Sequence, residues 1–417
     1  MKRLFWILLL PALLKAQDGS WTVYNPGNSV LPTNQINAIA VDSKGTKWIA
    51  AEKGVVKYDG TTMTLYNKNS SPLQCPHPLA ITVDKFDNVW IGTYCQGILK
   101  FDGSVWTVLD TILTPLPNRW ISSIVIDKKG IMWAGMVYGG IARFDGTSWK
   151  FYNQANSPLP TNHVKSIAVD ALNTKWFGTL KGLVKLEDTT WTIYNKANSR
   201  IPSDDILSVT ADASGSIWMG TNGNGLAKFD GNAFYVYNTA NSGLHCNTVT
   251  SVIIERGDNK WIGTQTGGLH KYTGGQWMVS DTLNSGLTEN WITSIALDRN
   301  DSKWIGTHNK GLFEYKMGPV SVNNTAADLR QDFYLEQNFP NPFNPSTVIS
   351  YFLPHASHVQ LEIYNLLGQK TASPVNSFQQ AGEYKIRFDG SMLPAGVYIY
   401  RLKADSYTQS RRFILLK

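Results

Sequence analysis

The chain has little of what most catalytic proteins carry. Its 417 residues include only three cysteines and seven histidines. No Cys-x-x-Cys pair and no His/Cys cluster with metal-ligand spacing occurs, so neither a metal centre nor a cofactor is expected. No Gly-x-Ser-x-Gly or Cys/His set supplies a nucleophile motif. Charged residues make up 17%, and no dense Lys/Arg run accompanies the net charge of +7, which argues against nucleic acid as a partner. No stretch after the N-terminus is apolar enough to span a membrane. What is abundant is apolar: 42% hydrophobic and 12% aromatic residues supply a packed core and exclude general disorder.

The first 16 residues read as a secretory signal peptide. Lys2 and Arg3 precede the apolar stretch Leu4 to Leu14, which is too short for a membrane span, and Ala16-Gln17 follows. Removing residues 1–16 takes away Lys2, Arg3 and Lys15 and no acid, leaving +4. No cysteine follows the cut, so a lipid anchor there is not expected.

The dominant feature is a repeat. Trp-Ile-Ala-Ala begins at Trp48, and variants begin at Trp90, Trp133, Trp176, Trp218, Trp261 and Trp304. The intervals are 42 or 43 residues, the period of propeller blades. Each repeat carries four strand segments. The first ends in an acid, as in Ile36 to Asp42, and a hairpin turn such as Ser43-Lys44-Gly45 follows. The second carries the Trp unit, the third reads like Gly225 to Gly231, and the fourth like Trp191 to Tyr194. The fourth-strand segment Trp21 to Tyr24 precedes every first strand, and the last repeat, Ile292 to Tyr315, lacks one. Seven blades therefore close only if residues 21–24 complete the last blade, which removes the open ring edge. The repeated Trp, Ile and Gly residues then serve packing. The Asp-x-x-Gly-x-x-Trp turn resembles the Asp-box of sialidases, but the arginines that hold a carboxylated sugar are absent, so the turn reads as structural.

"GSIWMGTNGNGLAKFDG" (Gly215–Gly231) and "NKWIGTQTGGLHKY" (Asn259–Tyr272) resemble the two-component-regulator propeller repeat of bacterial sensor domains and exported proteins. The resemblance covers about residues 20–316, and no kinase follows, so phosphotransfer is not implied.

After Tyr315 the period stops. Residues 317–332 are small and polar and read as a linker. Pro340, Pro342 and Pro345 exclude a helix, and strands at 359–364, 384–388, 397–402 and 411–416 imply a small antiparallel β-sandwich. "QNFPNPFNPST" (Gln337–Thr347), "LEIYNLLGQK" (Leu361–Lys370), "AGVYIYRL" (Ala395–Leu402) and "RRFILLK" (Arg411–Lys417) are similar to the type A C-terminal sorting domain of the type IX secretion system of Bacteroidetes. The resemblance implies passage of the outer membrane by that machinery, loss of the tail, and release or attachment to surface lipopolysaccharide. The expected fold is all-β: a seven-bladed propeller over 17–316, then an Ig-like sandwich over 333–417.

In a propeller, the loops from fourth to first strand and from second to third share one face, where substitution does not disturb blade packing. One position just before each first strand lies at the channel mouth. It holds Gln35, His77, Trp120, His163, Asp205, Thr248 and Trp291, beside Arg119, Asn162, Asp204, Glu289 and Asn290. The second-to-third loops add Tyr94, Tyr138, Lys181, Asn222, Asn224, Gln265 and His308. Aromatic faces among polar groups suit a sugar or a peptide. The alternative is unconstrained loop tips. For a lyase or hydrolase, His77, His163, Asp204, Asp205 and Glu289 are the acid–base candidates. A scaffold without a small ligand is the third reading.

Cys75 precedes the second blade's first strand, and Cys95 follows its Trp90-Ile91-Gly92-Thr93, so both loops lie on one face of one blade. Cys246 occupies the Cys75 position four blades away. A bridge needs Cα atoms within about 7 Å, which permits Cys75–Cys95 and excludes Cys246; three buried free thiols are the alternative.

Overall fold

The computed structural model describes residues 19–110, 114–255, 257–317, 333–338, 340–380, 382–405 and 407–416. The expected signal peptide and nearly all of the expected linker lie outside the described residues. The chain divides into two compact units, residues 1–318 and 319–417.

The first unit is a propeller of seven four-stranded antiparallel sheets. Blade one shows the plan: Ile36–Val41, Lys47–Ala51, Gly54–Tyr58 and Met63–Tyr66 pair in chain order. The seventh blade takes Ile292–Leu297, Lys303–Thr307 and Leu312–Met317 and adds Gly19–Tyr24 as its outer strand. Trp21 lies opposite Tyr315 and Tyr24 opposite Leu312, so the two ends of the repeat close the ring.

The repeated residues build the packing between blades. Every second-strand Trp is buried, from Trp304 at 0% exposed to Trp90 at 7%. Its indole N–H would be costly to bury alone. Each donates to the acid ending its own first strand, as Trp176 does to Asp170 (2.9 Å), Trp218 to Asp212 (2.9 Å) and Trp261 to Glu255 (3.1 Å). The second oxygen of the same acid accepts turn N–H groups: Asp212 Oδ1 takes those of Ser214 and Ser216, each at 2.9 Å. One acid thus closes the hairpin and satisfies the core Trp. Where Lys precedes the Trp, it reaches back one blade. Lys175 Nζ lies 3.2 Å from Asp127, Lys303 Nζ 2.5 Å from Glu255, and Lys47 Nζ 3.4 Å from Asp298 across the closure.

All seven first strands carry a register shift near their start. Residues at that bulge cross to the next blade's inner strand: Ser122 and Thr250 hydroxyls donate to the Val164 and Ile292 carbonyls, and Thr293 to Ile36. The bulge re-aims these side chains and links the blades around the channel.

The second unit is a two-sheet sandwich. Tyr334–Leu335, Ser346–Leu353 and Gly382–Asp389 form one sheet; Lys370–Gln379, Ser357–Tyr364, Gly396–Ala404 and Tyr407–Leu415 form the other. Leu361, Ile363, Tyr400, Leu402 and Phe413 are wholly buried between them. Three strands exceed the sequence expectation, the short Tyr334–Leu335 and two longer ones. Ser346–Leu353 starts directly after Pro345, and Lys370–Gln379 contains Pro374, which its edge position tolerates. The proline-rich entry is tied down by Phe343, 2% exposed, whose N–H and C=O bond Ile414 O and Leu416 N.

Candidate functional site

Most mouth loops are held by their own side chains. In the fourth blade, Asn198 Oδ1 accepts the Asn195 N–H, Asn198 Nδ2 donates to Ile193 O, and the Ser199 hydroxyl donates to Asn195 O. The Asn-x-x-Asn-Ser pattern recurs at 25–29, 153–157 and 238–242 with the same three bonds. This explains three site candidates. Asp204, Asn162 and Asn290 accept the N–H of Lys196 (2.8 Å), Gln154 (2.9 Å) and Thr282 (3.0 Å), so their side chains brace loops. Glu289 likewise accepts the Asn309 N–H at 2.6 Å.

In all seven blades the carbonyl of the mouth residue accepts an N–H from the second-to-third loop. Gln35 pairs with Glu52, His77 with Tyr94, Trp120 with Val137, His163 with Leu180, Asp205 with Asn222, Thr248 with Gln265 and Trp291 with His308. This bond sets the two loop sets of each blade side by side.

Blades two to four turn that scaffold into a run of touching rings. Centroids stand 5.8 Å apart for His77–Tyr94, 4.5 Å for Tyr94–Trp120, 5.7 Å for Trp120–Tyr138 and 6.0 Å for Tyr138–His163. Tyr94 is 46% exposed and Tyr138 65%. Arg119 lines a shallow groove with Tyr94, Cys95, Pro117, Asn118 and Trp120. The groove wall is clamped: Cys75 and Cys95 form a disulfide with Cα atoms 5.6 Å apart, and Gln96 Oε1 accepts the Gln74 and Cys75 N–H groups. Cys246 is a free thiol.

Beyond the arc the mouth becomes polar. Lys165 Nζ pairs with Asp205 Oδ1 at 2.5 Å, and Asn222 donates to Asp205 Oδ2 at 3.0 Å. Burial, together with Lys165 and against the pull of Asp205, holds His163 below the usual histidine range. Trp291 and His308 stack at 3.9 Å on blade seven, apart from the arc in sequence and blade order. Gln35 donates to Asn37 Oδ1 at 3.1 Å. Two participants escape a reading of loops alone: Glu52, which pairs with His77 Nδ1, and Lys165, which sits on the first-strand bulge. A lysine amid the apolar first strand was the visible signal for the second. Among the described residues no group of three or more His, Cys, Asp or Glu side chains is placed to hold a metal ion, and no helix is long and apolar enough to cross a membrane.

Fold and mouth together define a seven-bladed propeller joined to a β-sandwich. Residues 337–416 match the secretion system C-terminal sorting domain. No curated protein matches the chain. Among solved structures, it is similar to the extracellular domain assigned to the hybrid two-component system BT3049 of B. thetaiotaomicron, at 17% identity and TM-score 0.63 over 95% of this chain and 57% of that one. It is also similar to PorZ, a surface component of the type-IX secretion system of Porphyromonas gingivalis, at 18% identity and TM-score 0.59 over 95% of this chain and 61% of that one. Virginiamycin B lyase of Staphylococcus aureus aligns at 12% identity and TM-score 0.60, over 72% of this chain and 99% of the lyase. The chain thus spans about three-fifths of the first two, and at these identities the likeness concerns the fold. With its type IX sorting tail, the chain is a secreted or cell-surface propeller protein.

Proposed function

We propose that the propeller is a non-catalytic binding module that takes a glycan or peptide segment along the arc from His77 to His163. The observation that carries this reading is the unbroken ring run with Tyr94 and Tyr138 turned to solvent. Aromatic area on braced loops loses little conformational entropy on binding. The tail at 333–417 engages the type IX machinery and is removed near the 317–332 linker, leaving the propeller released or attached to surface lipopolysaccharide.

Glycan and peptide arrays with residues 17–316 test the binding role. Trp120→Ala or Tyr138→Ala should weaken the selected ligand at least tenfold, about 1.4 kcal/mol. Equal binding by both variants would place the ligand elsewhere. A second reading, a polysaccharide lyase or hydrolase, draws on His163, whose pKa burial and Lys165 lower, beside the Lys165–Asp205 pair. Shortened or unsaturated products from a bound glycan would favour it, and their loss in His163→Gln would assign the base.

A further inference from the structure

The face opposite the mouth carries grooves between neighbouring blades, and the one between blades seven and one differs from that between blades four and five. On the third strand, the residue across from the core Trp is Lys57, Lys100, Arg143, Lys185, Lys228 or Lys271 in the first six blades. Five of these place an ammonium 5.2–5.7 Å from the indole centre. In the seventh blade the same position, opposite Trp304, is Glu314, 5% exposed. The charge is reversed where the fold otherwise supplies its own cation.

The surroundings follow that reversal. The groove beside Glu314 has a volume of about 430 Å³ and is lined also by Tyr24, Tyr58, Trp304 and Asp301. The equivalent groove beside Lys185, lined by Trp176, Tyr194 and Phe229, holds about 180 Å³. Phe229 is replaced by Tyr58, whose hydroxyl stands 3.5 Å from that of Tyr24, and Tyr24 lies 3.4 Å from Glu314 Oε2. Lys47, 4.8 Å from the Trp304 ring, does not fill this place. It corresponds to Lys260 and Lys303, which share Trp218 and Trp261 with Lys228 and Lys271, so one indole accommodates two ammonium groups. Lys316 Nζ lies 3.1 Å from the buried Glu314 carboxylate but is itself half-exposed at the rim, so an incoming cation competes with it for that carboxylate.

We infer that the groove between blades seven and one binds an alkylammonium or guanidinium group, which docks where the other blades carry their own Lys or Arg. Aromatic rings and a carboxylate are the chemistry that recognises such cations. Thr22 and Tyr24 belong to the closing strand, so the ligand also links the first strand of the chain to the last blade.

Agmatine and a capped Gly-Arg-Gly peptide, titrated into the full-length protein at matched ionic strength, test the site and separate a free amine from a chain-borne one. Either probe should bind saturably and raise the melting temperature. Glu314→Gln should weaken binding at least tenfold, and Glu314→Lys, which restores the sibling residue, should abolish it without lowering the melting temperature of the free protein. Absence of saturable binding by both probes, or unchanged binding in Glu314→Gln, would overturn the inference.

Discussion

At the scale of single residues, the acid at the end of each first strand carries more than its turn. Burial opposes ionisation of Asp212, but the Ser214 hydroxyl, the Trp218 indole and turn N–H groups outweigh it, and the carboxyl sits below its ordinary range. Asp84, Asp127, Glu255 and Asp298 are lowered in the same way. Unfolded carboxyls titrate near pH 4, so this stabilisation is complete above about pH 4 and is lost as pH falls through the lower folded values. Asp212→Asn should cost about 2 kcal/mol, read by chemical denaturation, because a donor then faces the Trp218 N–H. His270 adds to the same slope. Burial, with His245 nearby, lowers it to about 4, and its Nδ1 has no hydrogen-bond partner. Between its folded value and the unfolded value near 6.5, the unfolded chain binds the extra proton, so stability falls as pH drops through that window by on the order of 3 kcal/mol. His270→Leu should flatten this part of the curve; an unchanged slope would show that other groups cause it.

At the scale of elements, closure and loop bracing dominate. Trp21 packs on Tyr315 and Phe313, with centroids at 4.7 and 6.5 Å. Deleting 19–24 exposes that surface and an unpaired strand edge, and should cost several kcal/mol, roughly 5, read as a lower melting temperature. Six of the seven third strands begin at, or directly after, a glycine with positive φ; Gly54 of blade one is the exception. Gly225 has φ +85°, and a Cβ there would clash with the Tyr237 carbonyl oxygen, so Gly225→Ala should destabilise blade five. Replacing Cys75 and Cys95 by Ser should cost about 3 kcal/mol in the chain-entropy model. It should also loosen Tyr94, which follows directly from its place beside Cys95.

At the scale of the whole molecule, export and folding are separable. The propeller has its own closed core, and the sandwich its own, so deletion of 333–417 should leave the melting transition of the propeller in place. In a type IX-competent host the truncated protein should accumulate in the periplasm. Its appearance outside the cell would show that residues 333–417 are not the address.

The strand plan, the blade number and the closing strand were legible because repetition multiplies each weak signal seven times and the Trp, Gly and acid positions stay in step. The sorting tail was legible as local text. The mouth was legible only as a ring of positions. Asp204 and Asp205 are neighbours in the chain, yet one braces a loop and the other pairs with Lys165, because a bulge on the inner strand decides what reaches the channel. Glu314 tells the same story from the other face. In the sequence it is one acid among many, and it becomes distinctive only when seven blades are laid over one another and its place proves to be that of a lysine. Sequence alone determines which residues repeat, since packing forces the repetition. Tertiary structure decides which departures from the repeat meet in space, since those contacts join residues from different blades.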